Sequence, residues 1–225
     1  MIYPKINTIW KRDEKGYILE GDYSAEEFKN IKEWDVSEKI DGMNMRVLYS
    51  KEPKIGYEGN MTNLDFRGKT NATQIPPFLL EYMKKTFLLS LVESIFKEAK
   101  EASLFGEGYG PKIQKGGGNY RDDVSFILFD VYVDGWWLKR EDVVEISRKL
   151  GIDCVPYLGL MTIDEAVSLI KNGGIKSKVA KQEIIIEGIV ARSHPLVLYR
   201  NGNPLMFKLK VKDYLRAKNK CGVIT

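Results

Sequence analysis

Ile184-Ile185-Ile186-Glu187-Gly188-Ile189-Val190-Ala191-Arg192 is a run of strand-forming residues broken by a single carboxylate. Such runs read as strands, and two more follow, Leu196 to Arg200 and Leu205 to Val211. The last two flank Asn201-Gly202, a dipeptide suited to a tight hairpin turn, so the spacing predicts three adjacent antiparallel strands. In the third, Lys208 and Lys210 alternate and share one face, with Lys212 in line behind them. That row reads either as an anion-binding wall or as a solvated edge strand guarded by lysines. Glu187 is the more telling residue. A carboxylate in a buried strand is strongly unfavourable unless a cation or hydrogen bonds offset it, so it points to a site, or to a salt bridge with Arg192 or a lysine.

Upstream of this region, Thr162-Ile163-Asp164-Glu165 is a capping box that opens a helix stopping at Gly173-Gly174, and Glu141 to Leu150 is a helix stopped by Gly151. Leu104 to Gly106 and Ser125 to Val133 read as buried strands, the second turning at Asp134-Gly135 into Trp136-Trp137-Leu138. Pro77 to about Glu101 is predicted as the longest helix, with Leu80, Met83, Phe87, Leu91 and Ile95 on one stripe. Ser24-Ala25-Glu26-Glu27 reads as a capping box opening a short helix to Trp34; Val36 to Glu38 then leads into a strand from Met43 to Tyr49. No repeat, low-complexity stretch or Pro/Ser-rich linker interrupts this order. The prediction is an α+β fold of antiparallel sheets flanked by helices, in one continuous domain over residues 1–225.

Composition narrows the chemistry. With 225 residues, 44% hydrophobic and 29% charged, the chain has globular proportions. It lacks both a bilayer-spanning apolar run and a secretory signal, so no membrane association and a cytoplasmic location are expected. Cys154 and Cys221 have neither pairing nor metal-ligand spacing and read as buried free thiols. The net charge of +4 is too mild to argue for nucleic acid by itself. A single histidine, His194 before Pro195 in an expected turn, excludes chemistry built on paired imidazoles and leaves Lys, Arg and carboxylates. Gly68-Lys69-Thr70 is not a P-loop, because Asn63 stands where that motif needs a glycine. Gly106, Gly108 and Gly110 have neither the spacing nor the setting of a dinucleotide-binding turn.

Lys39-Ile40-Asp41-Gly42 lies between two strand-like segments, where a lysine amine can reach a pocket or simply face water. A free lysine titrates near ~10.4, so it attacks phosphorus only if that value falls; a shift of about three units corresponds to roughly 4 kcal/mol. Neighbouring cations such as Lys208 and Lys210 can supply part of it. After this tetrapeptide come, in order, Leu104-Phe105-Gly106-Glu107-Gly108-Tyr109-Gly110-Pro111-Lys112-Ile113-Gln114-Lys115, Ile127-Leu128-Phe129-Asp130-Val131-Tyr132, Ile186-Glu187-Gly188-Ile189-Val190-Ala191-Arg192 and Phe207-Lys208-Leu209-Lys210. From Glu38 to Lys210 the series resembles the covalent nucleotidyltransferase superfamily of ATP-dependent DNA ligases, RNA ligases and mRNA capping enzymes. The Phe-Gly-Glu-x-x-Gly-Pro-x-Ile-Gln-Lys stretch is most similar to the nick-sealing RNA ligases of the phage RNA ligase 2 family.

The resemblance implies a nucleotidyltransferase domain, of the ATP-grasp-like ligase type, in which Lys39 attacks the α-phosphate of ATP and becomes lysyl-AMP. It implies that Lys208 and Lys210 hold that phosphate, Glu107 accepts from the ribose hydroxyls and Glu38 from the adenine amino group. Phe129 would stack on the adenine, although read alone it is one more core aromatic. Asp41 and Glu187 would organise Mg²⁺, or Mn²⁺ in its place. Arg67, in Asp65-Phe66-Arg67-Gly68, resembles the family arginine that contacts nucleotide or substrate phosphate, and Arg46 is a second candidate.

The implied activity is joining of RNA 3′-hydroxyl and 5′-phosphate ends, on nicked duplexes or RNA/DNA hybrids, in RNA repair or processing. The alternatives are a minimal ATP-dependent DNA ligase, a capping guanylyltransferase, or a nucleic-acid-binding module that has lost catalysis. The chain departs from the family after Lys210: with 15 residues left, neither an OB-fold nor a helical C-terminal domain is expected. Lys212, Arg216, Lys218 and Lys220 could extend a basic surface, and an accessory protein is the expected source of further substrate clamping.

Overall fold

The computed structural model describes the backbone of residues 1–220 and the side chains of residues 1–216. In chain order its first half runs β1 (Asn7–Thr8), β2 (Trp10–Arg12), β3 (Ile18–Tyr23), β4 (Glu33–Lys39), β5 (Met43–Ile55), β6 (Met61–Gly68), α1 (Pro77–Thr86), α2 (Leu89–Ile95) and β7 (Glu101–Tyr109). Then come β8 (Ser125–Val133), β9 (Trp136–Trp137), α3 (Arg140–Leu150), β10 (Asp153–Cys154), β11 (Tyr157–Met161), α4 (Ile163–Lys171), β12 (Gly188–His194), β13 (Met206–Lys210) and α5 (Val211–Lys220). The class is α+β, as the alternation of apolar runs and capped helices predicts.

The backbone divides into two compact units. The first comprises Met1–Tyr3 and Asp41–Val155. Its sheet runs β10-β8-β7-β5-β6 with β9 on β8, antiparallel except where β10 meets β8. Met45, Val47 and Leu104 from the sheet share a buried cluster with Met83 of α1, Val92 of α2 and Val143 of α3. Each fully buried side chain of this kind contributes about 1.5–3 kcal/mol, and that contribution holds the helices on the sheet.

The second unit comprises Pro4–Ile40 and the chain from Pro156 onward. Its sheet runs β1-β13-β12-β4-β11, beside a separate β2-β3 hairpin. Phe28, Trp34 and Phe207 meet edge-on, with centroids 4.7 to 5.7 Å apart, at the centre of its core. The hairpin is tied to α5 by Trp10 Nε1, which donates to the buried Tyr214 hydroxyl at 2.8 Å, and by Arg12 against Asp213 at 2.7 Å.

Several expectations need correction. Ser24 caps no helix: its hydroxyl donates to the Thr8 carbonyl at 2.6 Å, and only a 3-10 turn forms over Glu26–Asn30. Ile31 is already extended, and Trp34 lies fully buried in β4, because the aromatic core takes that side chain from a strand. The long helix is two, broken at Phe87 and Leu88, where Phe87 inserts between Phe66 and Phe126. The chain is a strand again by Glu101. Leu196 to Arg200 is no strand; it is a turn region with one isolated bridge, Leu198 to Pro204, and β12 pairs directly with β13 on one side and β4 on the other. Ile184 to Glu187 precede β12 rather than forming part of it.

Three terminators behave as read. Asp134 and Gly135 both have positive φ, 46° and 96°, as a two-residue turn between β8 and β9 requires. Gly151 caps α3 at φ 67°. Thr162 and Glu165 form a reciprocal capping box at the start of α4. Among the described residues no helix is long and apolar enough to cross a membrane. Cys154 is a free, half-buried thiol whose pKa burial pushes up, while Cys221 and the side chains of Lys218 and Lys220 lie outside the described residues.

Candidate active site

Three strands of the second unit converge on one glycine. Gly188 is in register with Lys39 of β4 on one side and with Lys210 of β13 on the other. A side-chain carbon at Gly188 would stand 2.0 Å from the Leu209 carbonyl oxygen, so the sheet closes here only with glycine. Glu187, one residue earlier, is fixed by its own carbonyl, which accepts from the Val211 amide at 3.1 Å. Its carboxylate bridges the two lysines: Oε2 accepts from Lys39 Nζ at 2.7 Å and Oε1 from Lys210 Nζ at 2.5 Å. Burial pushes the Glu187 pKa up, but the charges and hydrogen bonds of Lys39 and Lys210 together outweigh it and hold the group below the ordinary carboxylate range.

The ion pair foreseen for Glu187 is therefore made with these lysines rather than with Arg192. Lys208 lies two residues before Lys210 on the same face of β13, in register with Val190 and Thr8. Lys212 does not extend that row. The strand ends at Lys210, and Lys212 sits exposed on the first turn of α5 with Arg216 one turn on.

Glu38 points to the other face of β4 from Lys39 and is 1% exposed, so it is no surface glutamate. Its carboxylate accepts from the Ser177 hydroxyl at 2.5 Å and from the Lys178 amide at 3.0 Å. The Ser177 oxygen in turn receives the amides of Val179 and Ala180, which fixes a tight turn there.

In the first unit, Asp41 and Gly42 follow β4 and lead into β5. A side-chain carbon at Gly42 would stand 2.3 Å from the Gly108 carbonyl oxygen and 2.8 Å from Glu107 Cγ, so the half-buried Glu107 side chain packs directly over this glycine. Glu107 is in register with Asn44 on β5, whose buried Oδ1 has no hydrogen-bond partner among the described residues. The β7–β8 register slips by one residue between Phe105 and Gly106, which leaves Phe129 bulged and half-buried. The Tyr3 ring lies edge-on to Phe129 at 5.0 Å, and its hydroxyl donates to Asp130 at 2.8 Å.

The two candidate arginines separate. Arg46 is 1% exposed and each nitrogen of its guanidinium donates to the protein: Nε to the Gly68 carbonyl, Nη1 to the Met1 carbonyl and Nη2 to Asn71, at 2.8 to 2.9 Å. Burial, then the charge of its cross-strand neighbour Arg67, lowers the Arg46 pKa. Arg67 is more accessible; Asp65 accepts from its Nε at 2.6 Å, and its guanidinium lies 5.5 Å from the Tyr57 ring centroid.

Among the described residues no group of three or more His, Cys, Asp or Glu side chains could hold a metal ion. Single oxygen donors such as Glu187 fit Mg²⁺ or Mn²⁺, which keep water and substrate phosphate as most of their ligands, and do not fit a preformed all-protein cage. Sequence reasoning missed Tyr3, Tyr120 and the Ser177 turn. Their links span long stretches of chain, and no local pattern announces them.

No curated protein matches the chain. Among solved structures, Naegleria gruberi RNA ligase with pyrophosphate superimposes with a TM-score of 0.60 at 17% identity, over 96% of this chain and 64% of that one. A variant of the same ligase with ATP and Mn gives a TM-score of 0.65 at 16% identity, over 96% of this chain and 58% of that one. At such identities the likeness establishes the fold, and the chain spans less than two thirds of the length of these ligases. The sequence model of the RNA ligase family matches residues 32–210. With most of its length matched, including both the Lys39 and the Lys208–Lys210 segments, the chain belongs to the RNA ligase family.

Proposed function

We propose that this chain is an ATP-dependent RNA ligase of the nick-sealing, RNA ligase 2-like type, acting through Lys39. The observation that carries the reading is the bridge from Lys39 through Glu187 to Lys210, a nucleophile candidate and a phosphate-binding candidate sharing one carboxylate. Both units together are taken as one adenylyltransferase domain.

In the first step Lys39 Nζ attacks the α-phosphorus of ATP. An N–P bond forms, the bond to pyrophosphate breaks, and the amine proton is lost to water. Lys208 and Lys210 attract the α-phosphate oxygens, where negative charge accumulates in the transition state. In the second step an oxygen of the RNA 5′-phosphate attacks the AMP phosphorus and Lys39 departs, which leaves an adenylylated 5′ end. In the third, the 3′-hydroxyl attacks the 5′-phosphate phosphorus, closes the phosphodiester and releases AMP.

Glu107 accepts from the ribose, Phe129 offers its face to the adenine and Arg67 takes a phosphate. Arg46, engaged by three protein oxygens, is left to structure. Glu38 is assigned to the adenine amino group and must exchange its Ser177 hydrogen bond to meet it. Asp41 and Glu187 are the oxygen donors assigned to a divalent ion, Mg²⁺ or Mn²⁺, which supplies neutralising charge to the phosphates when bound. An accessory protein is proposed to supply further substrate clamping.

Nicked duplexes with all-RNA, all-DNA or mixed strands test the strand preference. Preferential sealing of a nick with an RNA 3′-hydroxyl end supports the reading. Equal or better sealing of all-DNA nicks moves the assignment to a DNA ligase.

A further inference from the structure

The eleven residues from Gly110 to Tyr120 form a loop that closes on itself and then reaches back to the peptide after Lys39-Ile40. A side-chain carbon at Gly117 would lie 2.0 Å from the Gly110 carbonyl oxygen, so the two ends of the loop meet as bare backbone. Gly110, Lys112 and Gly116 take positive φ, 117°, 66° and 85°, and amides of Gly117, Asn119 and Tyr120 bond carbonyls within the loop at 2.9 to 3.1 Å. Tyr120 is 5% exposed and edge-on to Tyr109 at 5.9 Å. From this frame two side chains extend to Asp41 and Gly42. Gln114 Nε2 donates to the Gly42 carbonyl at 3.0 Å, and the Tyr120 hydroxyl accepts from the Asp41 amide at 3.4 Å.

We infer that Gln114 and Tyr120 are positioning residues that fix the Asp41–Gly42 peptide, and through it the aim of the Asp41 carboxylate. Gly42 cannot retreat on its far side, because the Gly108 carbonyl and Glu107 Cγ already occupy the space of a side-chain carbon there. The peptide is thus held by one packed face and two hydrogen bonds. Gln114 is itself exposed, so its fixed direction comes from the carbonyl it meets and not from packing. Catalytic groups lose about a hundredfold in rate when misplaced by an ångström, which gives such a clamp a purpose. The catalytic consequence rests on the proposed role of Asp41 at the divalent ion; the clamp itself does not.

Two measurements on Gln114→Ala, Gln114→Glu and Tyr120→Phe test the inference, with melting temperature as the control for folding. Amide exchange of Asp41, followed by NMR, is expected to speed up roughly tenfold in each variant while amides of β7 and β8 stay as protected as in the parent. The divalent-ion concentration for half-maximal lysyl-AMP formation is expected to rise about tenfold, with half-saturation by ATP nearly unmoved. Gln114→Glu keeps the size and removes the donor, so it should behave like Gln114→Ala. Unchanged Asp41 exchange in all three variants, or loss of protection spread evenly across the unit with a fallen melting temperature, overturns the clamp. If the parent forms no lysyl-AMP, the proposed function fails while the exchange experiment still decides the clamp.

Discussion

Lys39 Nζ and Glu187 Oε2 are 2.7 Å apart, and the other oxygen of the same carboxylate holds Lys210 at 2.5 Å. One partly buried anion therefore sets the positions of two cations. Replacing it with the neutral Glu187→Gln leaves two amines facing a group that can satisfy at most one of them well. Stability should fall by about 1–3 kcal/mol, and lysyl-AMP formation by roughly a hundredfold or more. The depressed Glu187 pKa adds a pH signature. Its stabilising contribution is present above the ordinary carboxylate value of about 4.3 and is lost as pH falls through the lower folded value. Urea unfolding of parent and variant across acid pH should show a shallower acid limb in Glu187→Gln.

Two glycines of the site are there for backbone contact, and alanine should not replace them. At Gly188 the added carbon meets the Leu209 carbonyl at 2.0 Å, and at Gly42 the Gly108 carbonyl at 2.3 Å; both obstacles are backbone. Gly188→Ala and Gly42→Ala should each destabilise by about 2–4 kcal/mol, since a strand must shift to make room. Gly118, where nothing lies within 4 Å, is the control and should accept alanine with little change. Thermal melts of the three variants check this.

Arg46 and Arg67 should fail in different ways. Arg46→Met removes three donors, one to the buried Gly68 carbonyl and two to the more exposed oxygens of Met1 and Asn71, and is expected to lower stability by about 1–3 kcal/mol. Arg67→Ala loses one partly exposed pair with Asp65, worth about 1 kcal/mol or less, yet should slow a step that handles phosphate. Melting temperatures beside single-turnover sealing rates separate the two effects.

Much of this was legible in the sequence, for physical reasons that differ between elements. Ser125–Val133 is legible because Asp122-Asp123 stand shortly before it, Asp134-Gly135 turn directly after it, and most of its residues are apolar on both faces. Gly151 and the Thr162 box announced helix ends that depend on local backbone chemistry alone. The Ser24 box failed because the hydroxyl found the Thr8 carbonyl, a partner sixteen residues away that no capping rule includes. The helix break at Phe87 was hidden because the apolar period runs on through it: Met83, Phe87, Val92 and Phe96 are all buried in one core. At the site, Glu187 betrayed itself as a charge inside an apolar run, and Lys208 and Lys210 by their alternation. Arg46 also carries a charge in a strand pattern, and the three carbonyl oxygens that accept from it come from Met1, Gly68 and Asn71, which no local pattern links to it.

The central claim is that Lys39 forms a covalent bond to AMP. Purified protein, shown free of AMP by intact mass, is incubated with Mg²⁺ and either ATP or GTP labelled at the α-phosphate, then run on a denaturing gel beside Lys39→Ala. The account predicts acid-labile label from ATP on the parent, none on Lys39→Ala, and release of that label by pyrophosphate. Label from GTP alone would assign the chain to capping chemistry, and a well-folded parent that takes up no label from either nucleotide would contradict the account.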